Sequence, residues 1–332
     1  MAIIDDPTLY FSTTIYTGDG NTDRAVTIDG TGMQPNMLWI KSRSLAEGHV
    51  LGDSVRGASE RLIPNSTDAE ATRPTNIASF TSTGFTVANG GVDGAVNTNA
   101  ATYCSWAWKE QTGVFDIVSY TGSGSAKTVS HSLSAIPKMI IVKAISATGQ
   151  WAVQHASLGA TKWTELQNTA ATDFSTTIWN DTEPTSSVFT VGTNPRTNGN
   201  GTTYIAYLFG DTSMNKMGSY TANANADGTF VYTGFKPAFV MIKNTSQATD
   251  WIMVDNKRLG YNTGNAPLKP NSTAAETNVT DNALDLLSNG FKLLNAGTKT
   301  NADSGNTFIY MAFAEEPFVT STDNGSIPAT AR

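Results

Sequence analysis

One cysteine, Cys104, stands in a chain of 332 residues. Neither an intrachain disulfide framework nor a multi-cysteine zinc site can therefore form, and stability has to come from packing or assembly. Charge is scarce too: charged residues make up 15% of the chain, 21 basic against 28 acidic, and no basic block occurs. The net charge of −7 lacks the electrostatic footprint of a nucleic-acid binder. Long apolar runs are missing, and the start MAIIDDPTLYF has two acids where a signal peptide has a basic region, so neither membrane insertion nor export is expected. Histidine is limited to His49, His131 and His155, none at i,i+2 to i,i+5 spacing. We therefore expect no metal ion and no cofactor. The chain has no G-x-S-x-G elbow, P-loop or dinucleotide fingerprint, which leaves the common nucleophile and phosphate chemistries without a motif.

What is abundant is small and neutral. The sequence holds 48 Thr and 27 Asn beside 39% hydrophobic residues. Such a composition disfavours long exposed helices and favours strands joined by turns. Cys104 itself lies in an apolar run with no local base, which reads as a small buried hydrophobe.

The most informative feature is repetition. One phrase occurs three times, as Pro35-Asn-Met37-Leu-Trp-Ile-Lys41, Pro137-Lys-Met139-Ile-Ile-Val-Lys143 and Pro237-Ala-Phe239-Val-Met-Ile-Lys243. Upstream stand Tyr16-Thr-Gly18, Tyr120-Thr-Gly122 and Tyr220-Thr-Ala222; downstream stand Gly84-Phe85, Val188-Phe189 and Gly290-Phe291. Each copy closes on an apolar run: Thr102–Trp108, Thr203–Phe209 and Thr307–Phe313. Four landmarks in one order divide the chain into copies of about 100 residues, too long for a solenoid repeat and matched to a small domain. The boundaries expected are 1–111, 112–215 with a divergent second copy, and 216–332 with a polar tail from Thr320 to Arg332.

Within each copy, short runs rich in β-branched and aromatic residues are bounded by Gly, Pro, Asn and Asp, the signature of strands. The fold expected is all-β: three tandem antiparallel β-sandwich domains, jelly-roll or lectin-like. In the second copy's phrase, Met139 and Ile141 fall on one face and Ile140 and Val142 on the other. Such a strand needs cover on both sides, from a partner sheet on one and from a loop, neighbouring domain or subunit on the other. That requirement motivates an expected homo-oligomer. The best helix candidate is Asp281–Ser288, with Asn289-Gly290 as its C-cap.

Copies one and three share Asp53-x-x-Arg56 and Asp255-x-x-Arg258, followed by Pro64-Asn-Ser-Thr-x-Ala-Glu70 and Pro270-Asn-Ser-Thr-x-Ala-Glu276. The second copy has His155-Ala-Ser-Leu158 instead and lacks both charges. The favoured reading is a loop clamp by Asp53 with Arg56 and by Asp255 with Arg258, ahead of a binding surface or a duplicated active site. Trp39, Trp106, Trp108, Trp151 and Trp251 fall at strand positions and read as core. Trp163 and Trp179 have no strand pattern around them and read as exposed contact surface. With Asn65, Asn168 and Asn271 they are the candidate glycan or receptor contacts, on the segments 53–83, 155–186 and 255–288. The competing reading is that these segments pack against a neighbouring domain or subunit.

The combination of repeated phrases with Phe230–Lys243 and the ending Ala312-Phe-Ala-Glu-Glu-Pro-Phe318 resembles the repeat-bearing virion proteins of marine tailed bacteriophages. That resemblance implies a β-rich tail-fibre, lectin-like or other structural component with no agreed catalytic residues. It implies a location in the virion after synthesis in the host cytoplasm. It also implies other virion proteins, further copies of the chain and a host-surface glycan as partners. The function expected is therefore a non-enzymatic structural or adhesin component. A capsid-decoration or head/tail assembly role is the alternative, and a carbohydrate-active depolymerase is the alternative from another class.

Overall fold

In a computed structural model, residues 4, 6–30, 32–89, 95–258, 266–278, 283–317, 319–322 and 325–328 are described. They form an almost wholly β protein of antiparallel sheets. Copy one builds a large sheet in the spatial order Phe11–Thr17, Thr102–Trp108, Met37–Ser42, Val50–Asp53, Gly57–Leu62 and Ala71–Thr72. Copy two repeats that order with Phe115–Thr121, Thr203–Phe209, Met139–Ala144, Trp151–His155, Lys162–Glu165 and Asp173–Phe174. Copy three keeps the first four members, Asn215–Thr221, Thr307–Pro317, Phe235–Asn244 and Ile252–Asp255.

The registers coincide as well. The YTG-like turn pairs with the closing run as Thr17 with Thr102, Thr121 with Thr203 and Thr221 with Thr307. One residue in, a ring stacks across the two strands in every copy: Tyr16 on Tyr103 at 5.0 Å, Tyr120 on Tyr204 at 5.2 Å and Tyr220 on Phe308 at 5.1 Å. Such cross-strand pairs are the local units that fix sheet register.

A small sheet covers one face of each large one. It comprises Arg24–Thr27, Gly84–Val87 and Ile77–Thr81 in copy one, and Lys127–Ser130 with Val188–Val191 in copy two. In copy three it is Phe230–Tyr232, Gly290–Leu293 and Leu284–Leu287. The alternation of the Pro-to-Lys strand feeds two cores. Ile140 and Val142 join Tyr120, Val129, Phe189 and Tyr204 inside the second sandwich; Leu38 and Ile40 do the same with Val26 and Phe85 in the first.

Met139 and Ile141 point the other way, into a core that all three copies share. It contains Met37, Trp39 and Trp108 from copy one, Phe209 from copy two, and Phe239, Met241 and Phe313 from copy three. The last rings of the three closing runs meet there. Trp108, Phe209 and Phe313 form a triangle with centroid separations of 5.8, 6.2 and 6.4 Å, every pair edge-to-face. Equivalent residues at near-equal distances place a pseudo-threefold axis through this point. The second apolar face of each large sheet is thus covered by the other copies of the same chain, and the copies share a core instead of holding wholly separate ones.

Two sequence expectations change. Leu284–Leu287 is a strand, not part of a helix, and pairs with Gly290–Leu293 across a two-residue corner at Ser288-Asn289. Gly290 opens the return strand instead of capping a helix, and Leu284 and Leu286 alternate inward; Asp281 and Asn282 lie outside the described residues. The boundary at 215/216 falls inside the strand Asn215–Thr221, so the second copy ends at Phe209. Beyond Pro317, Val319–Thr322 and Gly325–Pro328 form an antiparallel pair; residues 323, 324 and 329–332 of the polar tail lie outside the described set.

Candidate functional site

The chemically capable side chains gather where one copy meets the next. At the first seam, Asp53 is fully buried, and its Oδ2 accepts from Arg56 Nε at 2.6 Å and from the Tyr207 hydroxyl of copy two at 2.7 Å. Arg56 also donates to Glu70 at 2.8 Å. Burial, followed by the Asp53 charge, pushes the Tyr207 hydroxyl well above its ordinary range, so it remains a proton donor.

The seam between copies three and one repeats the arrangement. Asp255 Oδ2 accepts from Arg258 Nε at 2.7 Å and from the Trp106 indole of copy one at 3.2 Å. The Cys104 thiol lies 3.6 Å from the same oxygen; burial, then this carboxylate, pushes the thiol well above its ordinary value. A thiol so held is a poor nucleophile. Glu276 bridges Arg258 at 3.2 Å and Arg43 of copy one at 2.8 Å.

At the seam between copies two and three, His155 takes the place of the aspartate, since it pairs with Met139 as Asp53 pairs with Met37 and Asp255 with Phe239. The ring position opposite, Tyr207 or Trp106 elsewhere, is Met311 here, which has no donor. His155 Nδ1 accepts from Ser157 N–H at 3.1 Å, so Nε2 carries the proton and donates to the Tyr310 carbonyl at 3.2 Å. Burial lowers its pKa to about 4. The side-chain chemistry of each seam is matched across it.

The lysine ending each repeated phrase is also buried, with no residue exposure at Lys41, Lys143 or Lys243. Lys143 Nζ donates to the Ala144 carbonyl and, at 3.2 Å, to Thr67 of copy one. Lys243 Nζ reaches the Thr169 carbonyl of copy two at 2.9 Å. Lys41 Nζ stays within its own copy, on Ser42 and Leu45. Desolvation lowers all three ammonium pKa values to about 8.

Of the five residues singled out as glycan contacts, the two tryptophans are buried and the three asparagines are half-buried and hydrogen-bonded within their own copies. Trp163 and Trp179 are only 4% and 2% exposed and belong to the core of the second sandwich, with the Arg196 guanidinium 4.8 Å above the Trp163 ring. They looked exposed because no strand alternation surrounds them, yet Trp163 sits on the short strand Lys162–Glu165 of the large sheet itself and Trp179 on the irregular segment after Phe174, which packs into the same core. Asn65 Oδ1 accepts from His49 N–H at 2.8 Å, and Asn271 Oδ1 from Trp251 N–H at 3.0 Å. Asn168 donates to Glu165 and accepts from Ala170 N–H. The segments carrying them dock on the next copy. Glu70 N–H donates to Ile145, Thr172 N–H to Thr245 and Glu276 N–H to Arg43. Trp151 and Trp251 give their indole protons to Ser66 and Glu165.

Sequence reasoning missed Asn97, Asn198 and Asn301, each fully buried. Asn97 Oδ1 accepts from Asp19 N–H, Asn198 Oδ1 from Ser123 N–H and Asn301 Oδ1 from Asn223 N–H, so each staples the YTG-like loop. Their fixed place, five or six residues before the closing run, was the available signal.

Chemically, the seams bind carboxylates to guanidinium, phenol and indole donors and imidazoles to backbone carbonyls. No group of three or more His, Cys, Asp or Glu among the described residues could hold a metal ion. The shared core leaves a void of about 10 Å³ between residues such as Trp39, Ile141, Tyr207 and Met311, at the lower limit for a single water.

A family model described as "Domain of unknown function (DUF7483)" matches residues 6–317. No curated protein and no solved structure matches the chain.

Proposed function

The chain belongs to the DUF7483 family of domains of unknown function, and on that premise we propose a non-enzymatic role as a structural component of a bacteriophage particle, of the tail-fibre or adhesin kind. The observation that carries the reading is where the reactive groups go. Asp53, Asp255, Glu276 and His155 are each bonded to a residue of another copy, with Arg56 and Arg258 holding the carboxylates in place from their own copy, a use that suits a structural part better than a catalyst. The repeated phrases resemble virion proteins, and a body closed without disulfides fits a particle exposed outside a cell. Mass spectrometry of purified particles tests the proposal. The chain is expected among the virion proteins in many copies, and its absence overturns the reading. Incubation with host-surface polysaccharide is expected to leave chain length unchanged; shortened chains would favour a depolymerase.

A further inference from the structure

The three seams of the pseudo-threefold body are alike in geometry and unlike in connection. Copies one and two are joined by residues 109–114 and copies two and three by residues 210–214, whereas nothing covalent spans the seam between copies three and one. That seam also lacks the buried lysine clamp: Lys143 and Lys243 hold carbonyls of the preceding copy, while Lys41 turns back onto Ser42 and Leu45. In its place stands the partly exposed pair of Arg43 with Glu276, at 2.8 and 2.9 Å, with side-chain exposures of 20% and 12%.

We infer that this seam opens, and that the surface copy three presents there docks equally on copy one of a second molecule of this chain. The contacts available to the second molecule are those already seen within one chain: Asp255 on Trp106, Glu276 on Arg43, and the Lys269 carbonyl on His49. Copy three would move as a unit on the 210–214 connection, leaving copy two as well as copy one, and would re-form both seams and the shared core in the second molecule. No new contact is needed, so closed monomer and exchanged dimer differ mainly in the effective concentration that the linker supplies. Crowding many chains in one assembly shifts the balance toward exchange. The inference stands on the fold alone and not on the virion reading.

Backbone N–H of Glu276 donates to the Arg43 carbonyl at 2.7 Å, near enough for a disulfide between these positions. In a Cys104→Ala background, the Arg43→Cys and Glu276→Cys chains are mixed at high concentration below the unfolding temperature and then oxidised. Disulfide-linked heterodimer is expected in several-fold excess over either homodimer, while the doubly substituted chain oxidises to a locked monomer that no longer exchanges. A random mixture of dimers, or none, overturns the inference. Because these substitutions remove the ion pair, the unaltered protein supplies a second readout. Isotopically light and heavy chains, mixed and examined by native mass spectrometry, are expected to give mixed dimers that grow with concentration; monomer alone at every concentration overturns the inference.

Discussion

Tyr207, Trp106 and Met311 occupy one position in the three copies, and the residue across the seam changes with them. The Asp-x-x-Arg spacing made the clamps legible, because an i,i+3 pair is local; the donors opposite lie 154 and 149 residues away and no pattern announces them. Tyr207→Phe removes one of two donors from a buried carboxylate oxygen and is expected to cost about 1–3 kcal/mol. His155→Asp places a carboxylate where Leu158 and Met311 offer neither charge nor proton, and is expected to cost about 3–5 kcal/mol. Urea unfolding ranks the two, and equal losses would contradict the matched-seam account. Stability should also follow pH through the buried titratable groups. The unfolded chain protonates His49 and His155 near 6.5, while burial keeps the folded imidazoles neutral to about 3 and 4, so stability falls as pH drops below 6.5. Between about 8 and 10.5 the folded chain has released the protons of Lys41, Lys143 and Lys243 that the unfolded chain keeps, so stability rises with pH there. Above 10 the buried Tyr16, Tyr120, Tyr207 and Tyr220 stay protonated while the unfolded chain ionises, which reverses the trend. Chemical denaturation across pH 4–11 is expected to show its maximum on the alkaline side of neutrality; a maximum below pH 7 would contradict these assignments.

Strand periodicity carried the element-level reading furthest where both faces were apolar. The alternation of Met139–Val142 named the two faces correctly, but not what lay beneath the second, since an apolar strand face has the same pattern under a loop, a subunit or another copy. Ile140→Ala and Ile141→Ala should each cost about 2–5 kcal/mol. Their couplings should differ, however: Ile141 and Met241 line one void, so a double-mutant cycle with Met241→Ala is expected to be non-additive for Ile141 and additive for Ile140. The long segments after the second core strand were legible as places where copies diverge and illegible as cover, because their bonds are made to distant carbonyls. Trp163→Ala and Trp179→Ala are accordingly expected to destabilise copy two by about 3–5 kcal/mol each, read by thermal unfolding; unchanged stability would return them to the surface role that sequence gave them.

At the scale of the whole molecule, the repeat count, the all-β class and the sandwich within each copy could be read from four recurring landmarks. Closure could not, since a tandem array and a closed ring have the same sequence until Trp108, Phe209 and Phe313 are seen to meet. The need for cover that suggested an oligomer is met within one chain, which leaves assembly to surfaces other than the repeated strands or to exchange at the open seam. The central claim is that three copies form one cooperative body around a shared core. Differential scanning calorimetry of the intact chain tests it directly. One transition is expected, with calorimetric and van't Hoff enthalpies in agreement for all 332 residues; three separable transitions, each with the enthalpy of about 100 residues, would contradict it.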